Sequence, residues 1–253
     1  MANIDILRTP HSKERSLWIA GDEKSQWKKL RKELGEDWAY YHVKDIVYSH
    51  NDYGYRANNF DSYEWSKSVV FLGCSHVYGK GNKLEDTIPA IYSKFSGYQA
   101  INMGMNGGGV ETIHHNTHAL IEKDYIPKKV IILWPSISRT MFYTGKDIGS
   151  VKPPKLVGVW SRGYEQEQLT SHIQHPENYI TKAYLIQKSI LNTWSANNVE
   201  VHSFRLGTTQ LQKNEFNLEC IELPECVDRA RDNSHYGMKT NRIYAEYIHK
   251  YSS

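Results

Sequence analysis

The sequence predicts an α/β fold built on a central parallel sheet, and three observations carry that expectation. Strand-like runs rich in β-favouring residues recur at 69–72, 98–103, 130–133 and 199–204. Between them lie stretches with apolar residues at helical spacing, over 87–95, 110–123 and 176–194. The run Val69-Val70-Phe71-Leu72 does not alternate with polar residues, which suits a strand covered on both faces, as in a parallel sheet.

Residues 1–20 read as an irregular arm with one apolar patch at Leu17, Trp18 and Ile19. Asp22 is placed to cap a helix running to about Leu34, with Trp27, Leu30 and Leu34 on one face and Lys28, Lys29, Arg31 and Lys32 on the other. A solvated face is the ordinary reading of that basic cluster, and a grip on an acidic partner is the sharper one. Rings crowd residues 37–65, among them Trp38, Tyr40, Tyr41, Tyr48, Tyr53, Tyr55, Tyr63 and Trp65. Asn51-Asp52-Tyr53-Gly54-Tyr55-Arg56 reads as a turn leading into extended chain. Covering a sheet edge is the ordinary reading of residues 37–65 and direct substrate contact the sharper one, and residues 1–65 as a whole are expected to form an N-terminal extension packed on the core.

The stretch from Ser68 to Gly81 organises the rest. Gly73 breaks its apolar run, and Ser75 then stands just past the carboxyl end of a strand, where open α/β sheets bind their ligands. Ser75 is the candidate nucleophile, with His76 beside it as a candidate substrate contact. Val77 to Gly81 reads as a glycine-punctuated loop. The helix over 87–95 puts Ile88, Ile91, Tyr92 and Phe95 on one side and Pro89 in its first turn. The strand ending at Met103 runs into Gly104-Met105-Asn106-Gly107-Gly108-Gly109. Missing side chains there let backbone N–H groups approach a developing oxyanion. Such runs also cradle phosphates, but no G-K-[ST] ending follows, which disfavours a P-loop.

The helix from Val110 to Lys123 carries His114, His115 and His118. His114 and His118 are four apart and could share a metal. No glutamate completes an H-E-x-x-H pattern and no third ligand lies nearby, so packed or surface histidines are expected, with no metal and no cofactor. The strand over 127–133 leads into Trp134-Pro135-Ser136-Ile137-Ser138-Arg139, a loop expected to overhang the site. Trp134 and Arg139 are candidate substrate contacts and Ser136 a candidate oxyanion donor. Ser136 or Arg139 could donate to the oxyanion or bind an anionic group, and Arg139 could equally form a structural ion pair. Residues 140–176, with Pro153, Pro154, Gly158, Trp160 and Gly163, read as an inserted lid-like loop.

A helix is spaced by Tyr179, Ala183, Ile186, Ile190, Leu191 and Trp194; the last core strand follows at 199–204, and 207–230 is loop-rich. Asp232-Asn233-Ser234-His235 then precedes a closing amphipathic helix marked by Ile243, Tyr244, Tyr247 and Ile248. A serine hydroxyl is a weak nucleophile at neutral pH and needs a base, itself oriented by a third group. Residues three apart in a helical turn share a side, so Asp232 can accept from one ring nitrogen of His235 and leave the other for Ser75.

Read together, these blocks resemble the SGNH hydrolases, or GDSL esterases. Gly73-Cys74-Ser75 matches the family's first block, with Cys74 where an aspartate is usual. Ile101-Asn102-Met103-Gly104-Met105-Asn106-Gly107 matches the second, which assigns an oxyanion N–H to Gly104, and Asp232 with His235 matches the closing D-x-x-H. The third block departs: Trp134-Pro135-Ser136-Ile137-Ser138-Arg139 holds no asparagine. Asn106 or Ser136 is the expected replacement donor. The resemblance covers roughly 66–140 and 175–250 and implies a flavodoxin-like three-layer sandwich over 66–253, with the insertion at about 140–176. It implies a serine esterase acting on a small acyl ester, an acetylated glycan among the options, with Ser75, His235 and Asp232 as triad. The alternative is a catalytically weak module of the same fold that binds glycan or protein, for instance as a viral component. An α/β-hydrolase elbow needs G-x-S-x-G, and Val77 occupies the last position.

Composition narrows the classes further. At 253 residues the chain is long enough for one sizeable core. A net charge of +3 lacks the concentrated basic footprint of nucleic-acid binding, so no nucleic-acid partner is expected. No run approaches the ~18 apolar residues of a membrane span. Met1 to Pro10 lacks the basic start and apolar centre of a secretory signal, and Cys74, Cys220 and Cys226 make no disulfide framework. A reduced, cytoplasmic setting is expected. The sequence leaves oligomeric state open.

Overall fold

The computed structural model describes residues 4–41, 46–142, 155–158, 161–163, 167, 176–206 and 220–253. β1 (Arg15–Ser16) and β2 (Tyr48–Ser49) pair antiparallel, with α1 (Lys24–Leu34) and α2 (Glu36–Tyr41) between them. The central segment holds β3 (Ser68–Gly73), α3 (Ser75–Tyr78), α4 (Ile88–Ser96), β4 (Gln99–Gly104), α5 (Val110–Glu122) and β5 (Lys129–Trp134). β6 (Thr140–Phe142) pairs antiparallel with β7 (Lys155–Val157). The chain closes with α6 (Pro176–Ala196), β8 (Glu200–Arg205), β9 (Ile221–Glu222) and α7 (Met238–Tyr251).

Five strands form one sheet in the order β4-β3-β5-β8-β9, every neighbouring pair parallel. Counted along the chain this is second, first, third, fourth, fifth, the flavodoxin-like doubly wound order. The chain passes from β3 to β4 on one side, then crosses back to β5 on the other. In doubly wound sheets ligands bind at that reversal, beyond the carboxyl ends of the strands, and Ser75 follows β3 directly.

Alternate strand residues face opposite helical layers. Val70, Leu72, Ile101, Met103, Val130 and Ile132 pack with α5 and α6 through Ile113, Leu120, Ile190 and Trp194. Val69, Phe71, Ile131 and Leu133 face α4 and α7 through Ile88, Tyr92, Tyr244 and Ile248. The result is the expected three-layer sandwich, and its two covered faces explain why β3 and β5 are buried at every position. From the N-terminal segment, Ile6, Leu7, Tyr55 and Phe60 enter the layer on the α5 and α6 side.

Three local expectations change. Residues 75–78 form one helical turn closed by Gly79 at φ 77°, where a loop from Val77 onward was expected. Asp22 does not cap α1, which follows Glu23 without a side-chain cap; Asp22 is buried against Arg231 instead. β9 adds a fifth strand in what reads as loop, because two residues carry no periodicity. Of the expected lid, Pro153, Pro154 and Trp160 lie outside the described residues, as do the side chains of Tyr40 and Tyr41.

Candidate active site

β3 ends at a crowded point. A Cβ on Gly73 would come within 2.5 Å of Val77 Cγ2 and 2.9 Å of the Leu133 carbonyl, so the backbone passes where a side chain cannot. Ser75 then opens α3. Its N–H belongs to a first helical turn and meets no acceptor among the described residues.

The distant chain ends join through the loop after α3. Gly81 adopts φ 75°, and a Cβ there would lie 2.7 Å from Ala230 Cβ and 3.0 Å from Arg231 N. The Arg231 N–H donates to the Gly81 carbonyl at 3.1 Å, and Asn82 Nδ2 donates to the Tyr236 carbonyl at 2.8 Å. On this platform His235 Nε2 stands 2.7 Å from Ser75 Oγ, and its Nδ1 stands 2.5 Å from Asp232 Oδ2.

Asp232 is held from several directions. Its Oδ1 accepts from the N–H groups of Ser234 at 3.1 Å and His235 at 3.0 Å, and its Oδ2 accepts from the Ser234 hydroxyl at 2.9 Å. Burial alone would raise this carboxyl, but the His235 ring and the two N–H donors outweigh it and bring it down to about 2. The D-x-x-H spacing does not work through a helical turn as expected. Asn233 sits at φ 55° and α7 begins only at Met238, so the aspartate acts by bonding the backbone two and three residues ahead.

The N-terminal segment braces both halves. Arg56, 1 % exposed, donates from Nη1 to the carbonyls of Gly79 (2.8 Å) and Tyr78 (3.3 Å) and from Nη2 to that of Asn82 (3.2 Å). Its guanidinium lies over the ring of Tyr48, 4.8 Å from the centroid. Asp22 and Arg231 form a buried ion pair at 2.6 Å, next in chain to Asp232, and the Tyr48 hydroxyl donates to Asp22 as well. Gln26 Nε2 donates to the Asp232 carbonyl at 3.1 Å.

The remaining expected residues divide. The Gly104 N–H, expected as an oxyanion donor, is already committed to Asn102 Oδ1 at 3.0 Å. Gly104 instead allows close packing, since a Cβ would come 2.2 Å from Tyr78 N. Asn102 Nδ2 donates to the Val77 carbonyl at 2.9 Å, so this one buried amide ties β4 to α3. Beyond it, Met105 O accepts from Gly108 N at 2.9 Å, closing a turn with Gly107 at φ 74° in the position that favours glycine. The N–H groups of Asn106 and Gly107 meet no acceptor among the described residues, and Asn106 Oδ1 is buried without a partner.

Trp134, expected against substrate, is 2 % exposed and packs in the core, because the last residue of a fully covered strand points into a helical layer. Ser136 Oγ pairs with Ser138 Oγ at 2.9 Å. Arg139 Nη1 donates to the Gly108 carbonyl at 3.1 Å, which ties its loop to the glycine run. His76 stacks on Tyr236 with centroids 4.1 Å apart and leans on His235 at 4.9 Å. Burial, then the neighbouring His235 and Arg139, push its imidazole well below the ordinary histidine range. His114 and His118 meet at their Nε2 atoms, 3.2 Å apart, with Ser189 Oγ 3.1 Å from His114. Among the described residues no group of three or more His, Cys, Asp or Glu side chains is arranged to hold a metal ion.

Sequence reasoning missed the part that Arg56 and Asp22 take in bracing the loops around Ser75 and Asp232. Arg56 carried a signal, standing in the Gly54-Tyr55-Arg56 segment ahead of the serine strand. Asp22 carried none, since an aspartate ahead of a helix reads as a cap whether it is buried or exposed.

Solved structures similar to this chain include a protein assigned to the lipolytic G-D-S-L family from Desulfitobacterium hafniense DCB-2. The match has 13 % identity, covers 73 % of this chain and 98 % of that one, and has a TM-score of 0.47. A carbohydrate esterase family 2 enzyme with a carbohydrate binding domain from Corynascus thermopiles (Myceliophthora fergusii) matches at 13 % identity, 73 % and 65 % coverage and a TM-score of 0.46. An acetyl xylan esterase from the rumen bacterium Butyrivibrio proteoclasticus matches at 11 % identity, 74 % and 63 % coverage and a TM-score of 0.35. No protein-family model matches the chain, and no curated protein matches it.

Proposed function

We propose that this protein is a serine esterase that hydrolyses a small acyl ester, a class that includes O-acetyl groups on carbohydrate. The observation that carries the reading is the unbroken chain from Ser75 Oγ through His235 to Asp232, at 2.7 and 2.5 Å. His235 Nε2 takes the Ser75 proton as Oγ attacks the acyl carbon. Asp232 fixes the tautomer and stays ionised opposite the imidazolium that forms, which its low pKa supports. His235 then returns the proton to the departing alkoxide. Water, deprotonated by the same ring, releases the acid and restores the hydroxyl.

The oxyanion is assigned to the N–H groups of Ser75 and Gly107 and to the side-chain amide N–H of Asn106. Gly107 takes the part expected of Gly104, whose N–H is occupied. One such donor contributes ~2.7–4 kcal/mol to the transition state. The binding-module alternative draws support from that occupied N–H together with the missing third-block asparagine. Hydrolysis of p-nitrophenyl acetate separates the two readings. The esterase reading expects turnover with an initial burst in the wild type, its loss in Ser75→Ala and its retention in Cys74→Ala. Equal inertness of wild type and Ser75→Ala across short acyl esters would leave the binding module.

A further inference from the structure

Two adjacent residues from one part of the chain meet two adjacent residues from the other. Ser75 Oγ stands 2.7 Å from His235 Nε2, and the next residue along each segment, His76 and Tyr236, stack with ring centroids 4.1 Å and planes 29° apart. His76 also leans on His235 itself, with centroids 4.9 Å and planes 50° apart. Behind this pair the Tyr236 ring meets Tyr244 of α7 edge-on at 5.1 Å, and Tyr244 is fully buried. A line of rings thus runs from the core, through Tyr244, Tyr236 and His76, to the proposed base.

Hydrogen bonds alone leave one motion of the His235 ring open. Its two nitrogens meet Asp232 at 2.5 Å and Ser75 at 2.7 Å. Bonds at ring nitrogens act along the ring plane, so they resist sliding of the ring more than tilting about the line between its two partners. A second ring packed against the face opposes that tilt. The His76 ring suits the part because it makes no competing bond through Nδ1, which is buried and meets no partner. It also stays neutral. Burial, then His235 and Arg139, push it well below the ordinary histidine range, so it sets no charge against the imidazolium that the proposed reaction forms at His235.

We propose that His76 is a positioning residue, the wall that holds the His235 ring in line with Ser75 Oγ and Asp232. That it thereby serves hydrolysis rests on the esterase reading; that it orders the ring does not. Misplacing a reacting group by about 1 Å can cost on the order of a hundredfold in rate, so a loosened ring should be visible in turnover.

The experiment compares His76→Phe, which keeps a flat ring, and His76→Leu, which keeps bulk without one, with the wild type in the full chain. Near-UV circular dichroism checks that each variant is folded. Hydrolysis of p-nitrophenyl acetate gives kcat and KM, and proton NMR follows the His235 Nδ1–H bonded to Asp232, which is visible only where the ring is held and exchange with water is slow. In His76→Leu kcat is expected to fall at least about tenfold with KM within about twofold, and His76→Phe is expected to stay within about threefold of wild type in both. The proton is expected in wild type and His76→Phe and is expected to broaden away in His76→Leu. A rise in KM with kcat unchanged in both variants would overturn the proposal, because His76 would then be touching substrate. So would equal kcat in wild type and His76→Leu, or a proton that is indifferent to the substitutions or missing from the wild type. A protein inert to all esters whose proton disappears in His76→Leu and persists in His76→Phe would sustain the positioning role and remove the hydrolase reading.

Discussion

The sheet and the N-terminal segment reach the same site by different physics. β3, β4 and β5 are held by interdigitated aliphatic side chains such as Val70, Ile101 and Ile132, whose attraction has no preferred direction. Residues 4–65 reach the loops beyond those strands largely through buried polar groups: Arg56 on three carbonyls, and Asp22 on Arg231. A buried charge is tolerated only where its partners stand at fixed distances and angles. Apolar packing therefore decides where the strand ends lie, and the polar braces decide how Ser75 and Asp232 face each other.

That division can be broken by experiment, and the buried ion pair is the most sensitive place. Asp22→Ala removes the carboxylate that pairs with the buried Arg231 guanidinium, and the expected loss of stability is about 3–5 kcal/mol by urea denaturation. A loss under about 1 kcal/mol would mean that the pair does not brace the loop. Arg56→Met comes next, with an expected loss of ~2–3 kcal/mol because the Tyr78, Gly79 and Asn82 carbonyls lose its N–H donors. Because those carbonyls belong to the turn carrying Ser75, ester hydrolysis should fall by more than the unfolded fraction accounts for.

Acid sharpens the comparison at Asp232. The carboxyl is lowered to about 2 in the folded protein, against an ordinary value of about 3.9 in the unfolded chain. Its contribution, on the order of 2 kcal/mol, is present above the unfolded value and is lost as pH falls through the folded one. Urea midpoints of wild type and Asp232→Asn should therefore converge as pH drops from 5 to 2. A gap that stays constant over that range would show that the carboxylate is not held by the bonds described. The smallest effect is expected in the sheet. Ile101→Val should cost about 1 kcal/mol by thermal unfolding and leave hydrolysis within about twofold of wild type. If it reduced turnover as Arg56→Met does, packing and positioning would not be separable.

How much was legible in advance follows from which interactions are local. The core strands and helices were read to within a few residues because both faces of each strand and one face of each helix are written as residue spacing. The one-turn helix at Ser75–Tyr78 and the two-residue strand at Ile221–Glu222 were not, being shorter than any period. Trp134 was read as a substrate contact because it opens the loop expected to overhang the site; it ends β5 instead, and which way its side chain turns depends on the layer that covers it.

The amino-acid order by itself determined the alternation of strands and helices and singled out Ser75, Asp232 and His235 as a candidate trio, since composition, spacing and turn chemistry are properties of short windows. Only the tertiary structure decided which N–H groups of the glycine run are spare. Gly104 and Gly107 stand three apart in one glycine run, yet one N–H is taken by the Asn102 side chain and the other is not. The same holds for Arg56 and Asp22, whose partners lie 22 to 209 positions away along the chain. A hydrogen bond across that separation depends on how every intervening element packs, and no short window contains that information.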